Sequence, residues 1–147
     1  FSSHLGKVLK ATDVNDANGS SIDIVYFGFD GSFGYNKFVS PSTVQNYTFS
    51  YIPNAITTRI INRQESCGCG TSMTSAQFDA MTDDVLLQAT AINQISAGLS
   101  EFDNSGLPRI VLFQTQDGRK GAIKIKQCVQ AGKQSYIVCD IKIMKSA

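Results

Sequence analysis

The chain is expected to fold as an α+β domain with a mostly antiparallel sheet, and three observations predict it. Residues 109–145 form three alternating apolar runs joined by two short turns, the strongest local hairpin signal a sequence offers. Residues 22–29 form an apolar run rich in β-branched and aromatic side chains, as a strand buried on both faces requires. One region alone, about 74–97, carries helical spacing. A β-sandwich with that helical region as an insertion is the alternative architecture.

Taken in order, residues 5–10 read as a short strand, followed by a polar loop at 12–21 rich in Asn, Asp and Gly. The run I-D-I-V-Y-F-G-F at 22–29 holds a single charge, Asp23, which needs a partner if it is buried. A Gly- and aromatic-rich loop then runs to Ser40-Pro41. Tyr47, Phe49 and Tyr51 alternate with polar residues, predicting a strand with one aromatic face, and 56–62 is a further strand-like run. Cys67-Gly-Cys69-Gly has no periodicity and reads as a loop.

Thr74 with Gln77 forms a capping-box pattern, and Thr82-Asp83-Asp84 looks like a second helix start. Val85, Ala89 and Ile92 follow at helical spacing, and Gly98 is the expected stop. The C-terminal meander consists of R-I-V-L-F-Q-T, G-A-I-K-I-K-Q-C-V and S-Y-I-V-C-D-I-K-I-M-K. Its turns are expected at Asp117-Gly118 and at Ala131-Gly132-Lys133-Gln134. With 147 residues and no internal repeat or linker, a single domain is expected.

Charge is unevenly divided along the chain. Residues 1–108 hold five Lys/Arg against ten Asp/Glu, a balance of −5, whereas 109–147 hold eight against two, a balance of +6. Lys124, Lys126 and Lys142 alternate with isoleucines, so the basic half reads as the solvent face of the meander rather than a nucleic-acid surface. The two halves should also attract each other. No apolar run reaches the ~18 residues that a membrane helix needs. A chain opening on Phe1 is expected to be a processed or truncated product, with any signal peptide or lipid anchor upstream.

Candidate sites are few. Cys67, Cys69, Cys128 and Cys139 could join in disulfides, ligate zinc, or supply a redox-active C-x-C loop. The C-x-C spacing and the ten residues between Cys128 and Cys139 fit a zinc knuckle poorly. Strict alternation would turn Cys139 inward and Cys128 outward with Lys124 and Lys126, which disfavours a bond between them. Gly28, Gly31 and Gly34 lack the spacing of a phosphate loop, and Asp13, Asn15, Asp16 and Asn18 only loosely match a calcium loop.

Tyr35, Tyr47 and Tyr51 are the candidate platform for stacking a sugar; Asn46-Tyr47-Thr48 is a glycosylation sequon. The lone His4 sits near an end expected to be mobile, and Glu65 and Glu101 fall near loops. No metal ligand set, cofactor motif or catalytic triad emerges from this inventory.

Three segments together resemble a group of secreted or lipid-anchored Bacteroidetes proteins of no established activity. They are F-S-S-H-L-G-K-V at the start, S-I-D-I-V-Y-F at 21–27 with Ser40-Pro41, and T-Q-D-G-R-K-G-A-I-K-I at 115–125 with D-I-K-I at 140–143. The likeness covers both ends of the chain and thins between 45 and 105. It implies a location outside the cytoplasm, at the cell surface, in the periplasm or secreted, with a lipid anchor upstream. The expected function is non-enzymatic binding of an envelope glycan, peptide or protein. A small aspartate-dependent hydrolase and a thiol redox or metal protein built on the C-G-C loop are the alternatives.

Overall fold

The computed structural model describes every residue except 30, 31, 48, 67–71, 94–101 and 103, together with all side chains outside those and 29 and 32–35. It is an α+β fold with two antiparallel sheets. The strands are β1 (Val25–Phe29), β2 (Ser32–Val39), β3 (Arg59–Ile61), β4 (Arg109–Gln114), β5 (Lys120–Val129) and β6 (Tyr136–Ile143). β1 and β2 form a two-stranded hairpin; the others form a four-stranded sheet in the order β3-β4-β5-β6. Among the described residues there are also two short α-helices, α1 (Ser75–Ala80) and α2 (Val85–Ala89).

The alternation in β4 explains the layering. Ile110 and Leu112 face one way and join Ile61, Ala122 and Met144 under Phe78 of α1 and Leu87 of α2. Val111 and Phe113 face the other way and join Ile60, Ile123 and Ile125 against Ile24 and Phe38. β4 therefore has apolar residues at four successive positions because it is covered on both faces. Gly121 has no side chain because the Phe113 ring occupies the space, a built Cβ lying 2.3 Å from its Cζ. A third, smaller cluster on the far side of the hairpin gathers Phe27, Val39, Val44 and Ile52.

Asn62 stitches the layers together. Its side chain accepts from the Phe38 amide at 2.8 Å and donates to the Phe38 carbonyl at 3.0 Å, acting as one residue of a strand. At the other end of β3, the Thr58 hydroxyl donates to the Asp23 carbonyl at 2.6 Å.

Several sequence expectations hold. The Thr74–Gln77 capping box forms, with Gln77 N–H on Thr74 Oγ1 at 3.1 Å and Thr74 N–H on Gln77 Oε1 at 2.9 Å. The helical region divides into two helices, because α1 stops at Met81 and Asp83 accepts from the Val85 amide at the start of α2. Residues 94–97 of the expected helix, and Gly98, lie outside the described residues. The first meander turn closes with Thr115 and Arg119 paired and Gly118 at φ +89, a conformation glycine reaches without strain. The attraction between the halves is realised in the Asp79–Lys124, Glu65–Arg109 and Asp23–Arg119 pairs.

Other expectations are corrected. Residues 5–10 form no strand; the chain turns at Gly6 (φ +63) and bridges Ser2 to Lys7. Nor do Tyr47, Phe49 and Tyr51. Pro41, with its φ preset for a helix, opens a 3-10 turn over Pro41–Asn46, after which Tyr47 and Phe49 both fold onto Phe27.

The lysine-bearing face of the meander is not a free solvent face. Two-turn helices leave their last carbonyls without partners, and lysines fill that role here. Lys142 Nζ donates to the carbonyls of Phe78 and Met81 at 2.6 and 2.9 Å, and Lys120 to those of Gln88 and Thr90 at 2.9 and 2.6 Å. Lys124 pairs with Asp79 at 2.8 Å. Only Lys126 behaves as expected, exposed and paired with Asp140 at 3.1 Å.

Lys126 also marks a β-bulge, for the β5–β6 register shifts between Ile125 and Gln127. The extra residue flips the side-chain parity beyond it. Cys128 therefore faces the same way as Cys139, against the cluster of Ile123 and Ile125, and not outward with the lysines. Both thiols are free, and burial pushes both above the ordinary thiol range.

Candidate functional site

Two features of the described surface could carry function: a polar cluster beside the first residues, and the outer edge of β6.

The polar cluster is built around Arg119, which leaves the β4–β5 turn with its side chain only 10% exposed. Its Nε donates to Asp117 at 2.9 Å, Nη1 to Ser3 at 2.8 Å, and Nη2 approaches His4 Nε2 at 3.3 Å. Nη2 also lies 3.6 Å from Oδ1 of Asp23, a fully buried carboxylate. Asp23 Oδ2 accepts from the Ser3 amide at 2.6 Å, while the Phe1 carbonyl takes the Asp23 amide at 2.9 Å. The first residues, expected to be mobile, are thus tied to the sheet, and the solitary charge in the apolar run has its partner.

Sequence reasoning did not assemble this cluster, since its members stand at positions 3, 4, 23, 117 and 119. Asp23 was one signal; a basic residue in the nearest hairpin turn was the other.

The cluster opens onto a shallow depression whose other wall is residues 143–147. Its donors are spent internally. Asp23 and Asp117 are bridged by one guanidinium, the reverse of an acid–base pair in which one carboxyl must keep its proton. His4 stands 4.0 Å from Asp117, beyond hydrogen-bond reach, and the Ser3 hydroxyl already accepts from Arg119. The arrangement pins a segment; it activates no nucleophile.

Burial works against ionisation of Asp117, but hydrogen bonds from Thr115 and Arg119 outweigh it and hold the carboxyl below its usual range. Burial likewise opposes Glu65, and the Arg109 guanidinium at 2.7 Å overcomes it. Depressed carboxylates add stability that is complete above the unfolded values, about 3.9–4.3, and is lost as pH falls through the lower folded ones. The urea midpoint should therefore fall on going below about pH 4. The Asp117→Asn/Glu65→Gln double variant should lose less over the same range, as equilibrium unfolding at pH 6 and pH 3 would show.

The second feature is the outer edge of β6. The Met144 amide donates to the Lys120 carbonyl at 2.9 Å, which sets the alternation of the ladder. Asp140 and Lys142 turn their backbone groups towards β5, so Ile137, Cys139, Ile141 and Ile143 turn theirs away. Those outward groups have no backbone partner among the described residues. No residue of β6 is buried, although six of its eight are Ile, Val, Cys or Tyr. Tyr136 is 54% exposed at the head of the strand.

The remaining sequence candidates are dispersed. Tyr47 packs on Phe27 with Lys37 Nζ 5.1 Å from its ring centroid, and Tyr51 is 68% exposed. The side chain of Tyr35 lies outside the described residues, as do Cys67, Cys69 and Glu101. Among the described residues no three His, Cys, Asp or Glu side chains converge as a metal site would need. No helix there is long and apolar enough to cross a membrane. No family model, curated protein or solved structure matches the chain.

Proposed function

We propose that this protein is a non-enzymatic binding module of the bacterial cell envelope whose partner is a peptide or protein. The observation that carries the reading is the unpaired, apolar edge of β6. Proteins usually blunt such edges with charges, prolines or covering loops, because an open ladder recruits other strands. Here the outward groups of four residues are left open among the described residues, in a strand whose apolar side chains are only partly covered. The polar cluster supports the reading from the other side, since its charged groups are committed to one another. The envelope location rests on the resemblance of the terminal segments.

The test is site-specific photo-cross-linking in envelope extracts. A photoreactive residue at Tyr136, beside the edge, should trap a discrete partner, whereas one at the more exposed Val85 on α2 should not. Equal labelling from both positions, or none from either, would sink the proposal. A second reading, glycan binding, is favoured only by the exposed ring of Tyr51. A glycan array on the parent and on Tyr51→Ala separates the two.

A further inference from the structure

Resting on that reading, we infer that the β6 edge takes an extended peptide strand in which apolar residues alternate with acidic ones. Backbone pairing follows from the outward groups of Ile137, Cys139, Ile141 and Ile143. An added strand hydrogen-bonds to these and carries its side chains alternately to the two faces of the sheet.

The two faces differ in chemistry. On one, the neighbours are the side chains of Ile137, Cys139, Ile141 and Ile143, which pack partly buried against the inner cluster. Apolar residues of the incoming strand extend that surface. On the other face lie Val138, Asp140 and Lys142. Asp140 is neutralised by Lys126. Lys142 spends its donors on the carbonyls of Phe78, Asp79 and Met81 and lies over the Phe78 ring, so it is turned to α1. Lys133 in the preceding turn and Lys145 just beyond the strand are both exposed. Neither Lys133 nor Lys145 forms an ion pair among the described residues.

The edge therefore presents two exposed ammonium groups without carboxylate partners, Lys133 and Lys145, and among the described residues no unpaired carboxylate. Two copies meeting edge to edge would bring like charges together, whereas alternating Glu or Asp on the incoming strand opposes them with unlike ones. That charge balance selects an acidic strand over a second copy of the chain.

The probe is a nine-residue, end-blocked, fluorescein-labelled peptide alternating valine and glutamate, titrated with the protein by anisotropy. Its partner probe carries lysine in place of glutamate. The valine–glutamate peptide should bind at least about tenfold tighter at low salt, and the gap should narrow as salt shortens the Debye length. N-methylating the peptide amides in one alternating frame should cost at least about tenfold, and in the other frame almost nothing, because only one frame faces β6. This control leaves the protein unaltered. Ile141→Pro removes one outward donor and spares the β5 ladder, so a folded variant should bind more weakly to a similar extent.

No binding by the acidic peptide, equal binding of both peptides, or tolerance of both N-methylation frames would each overturn the inference. So would a concentration-dependent dimer in sedimentation that Ile141→Lys abolishes, since the occupant would then be a second copy. A surviving cross-link at Tyr136 alongside any of these results leaves the binding-module reading standing and removes only the strand chemistry. Loss of the cross-link as well removes both.

Discussion

Replacing Asp23 by alanine should destabilise the protein by about 3 kcal/mol, the lower end of the cost of breaking a buried ion pair. The lower end applies because Arg119 keeps Asp117 when Asp23 is removed. Asp23 is fully buried, accepts from the Ser3 amide, and faces the guanidinium across 3.6 Å. Its Oδ1 has no hydrogen-bond partner among the described residues and depends on that charge. For a chain of this length the melting temperature should drop by roughly 6–12 °C. Asp23→Asn retains an acceptor for Ser3 and should lie between the two. Adding Arg119→Met to Asp23→Ala should recover none of the loss, since it strips Asp117 of its ion-pair partner as well. An unchanged melting temperature for Asp23→Ala would mean that the first residues are not anchored this way.

Asn62→Ala is expected to cost about 3 kcal/mol by a different route. Asn62 and Phe38 are 1% and 4% exposed. Without the Asn62 amide, both the N–H and the C=O of Phe38 lose their partner where water has poor access, at roughly 1–3 kcal/mol each. Asn62→Asp restores the acceptor and not the donor, so it should repair only one of the two bonds and add a buried charge. Denaturant unfolding distinguishes the variants, and hydrogen exchange at the Phe38 amide reports the lost contact directly. If Asn62→Ala unfolds like the parent, the layers are held by apolar burial alone.

How much could be read in advance follows the range of each interaction. The capping box at Thr74, the turn at Gly118 and the strands of the C-terminal meander are signals spanning a few residues, and each appears as read. The aromatic strand at 47–51 failed because alternation over five residues is also satisfied when two rings pack on Phe27 and one faces water. Cys128 was misplaced by a single extra residue at Lys126, invisible in a pattern that both a bulged and a regular strand produce. The lysines were read with the correct parity and the wrong environment, because the helices that cover them are distant in sequence.

The polar cluster shows the same division. Asp23 is conspicuous within its apolar run, but its partner stands 96 positions later, and nothing local to either residue names the other.

Local patterning by itself set the α+β class, the C-terminal meander, the position and capping of the helical region, and the need for a partner at Asp23. These depend on backbone propensity and on side-chain period, which neighbouring residues dictate. The order of the strands, the covering of both faces of β4, the identity of the Asp23 partner and the exposure of β6 arose only when distant segments packed. An edge strand and a central strand have the same local preferences. What distinguishes β6 from β4 is that, among the described residues, β4 has neighbours on both sides and β6 on one, a relation that exists only in the assembled sheet.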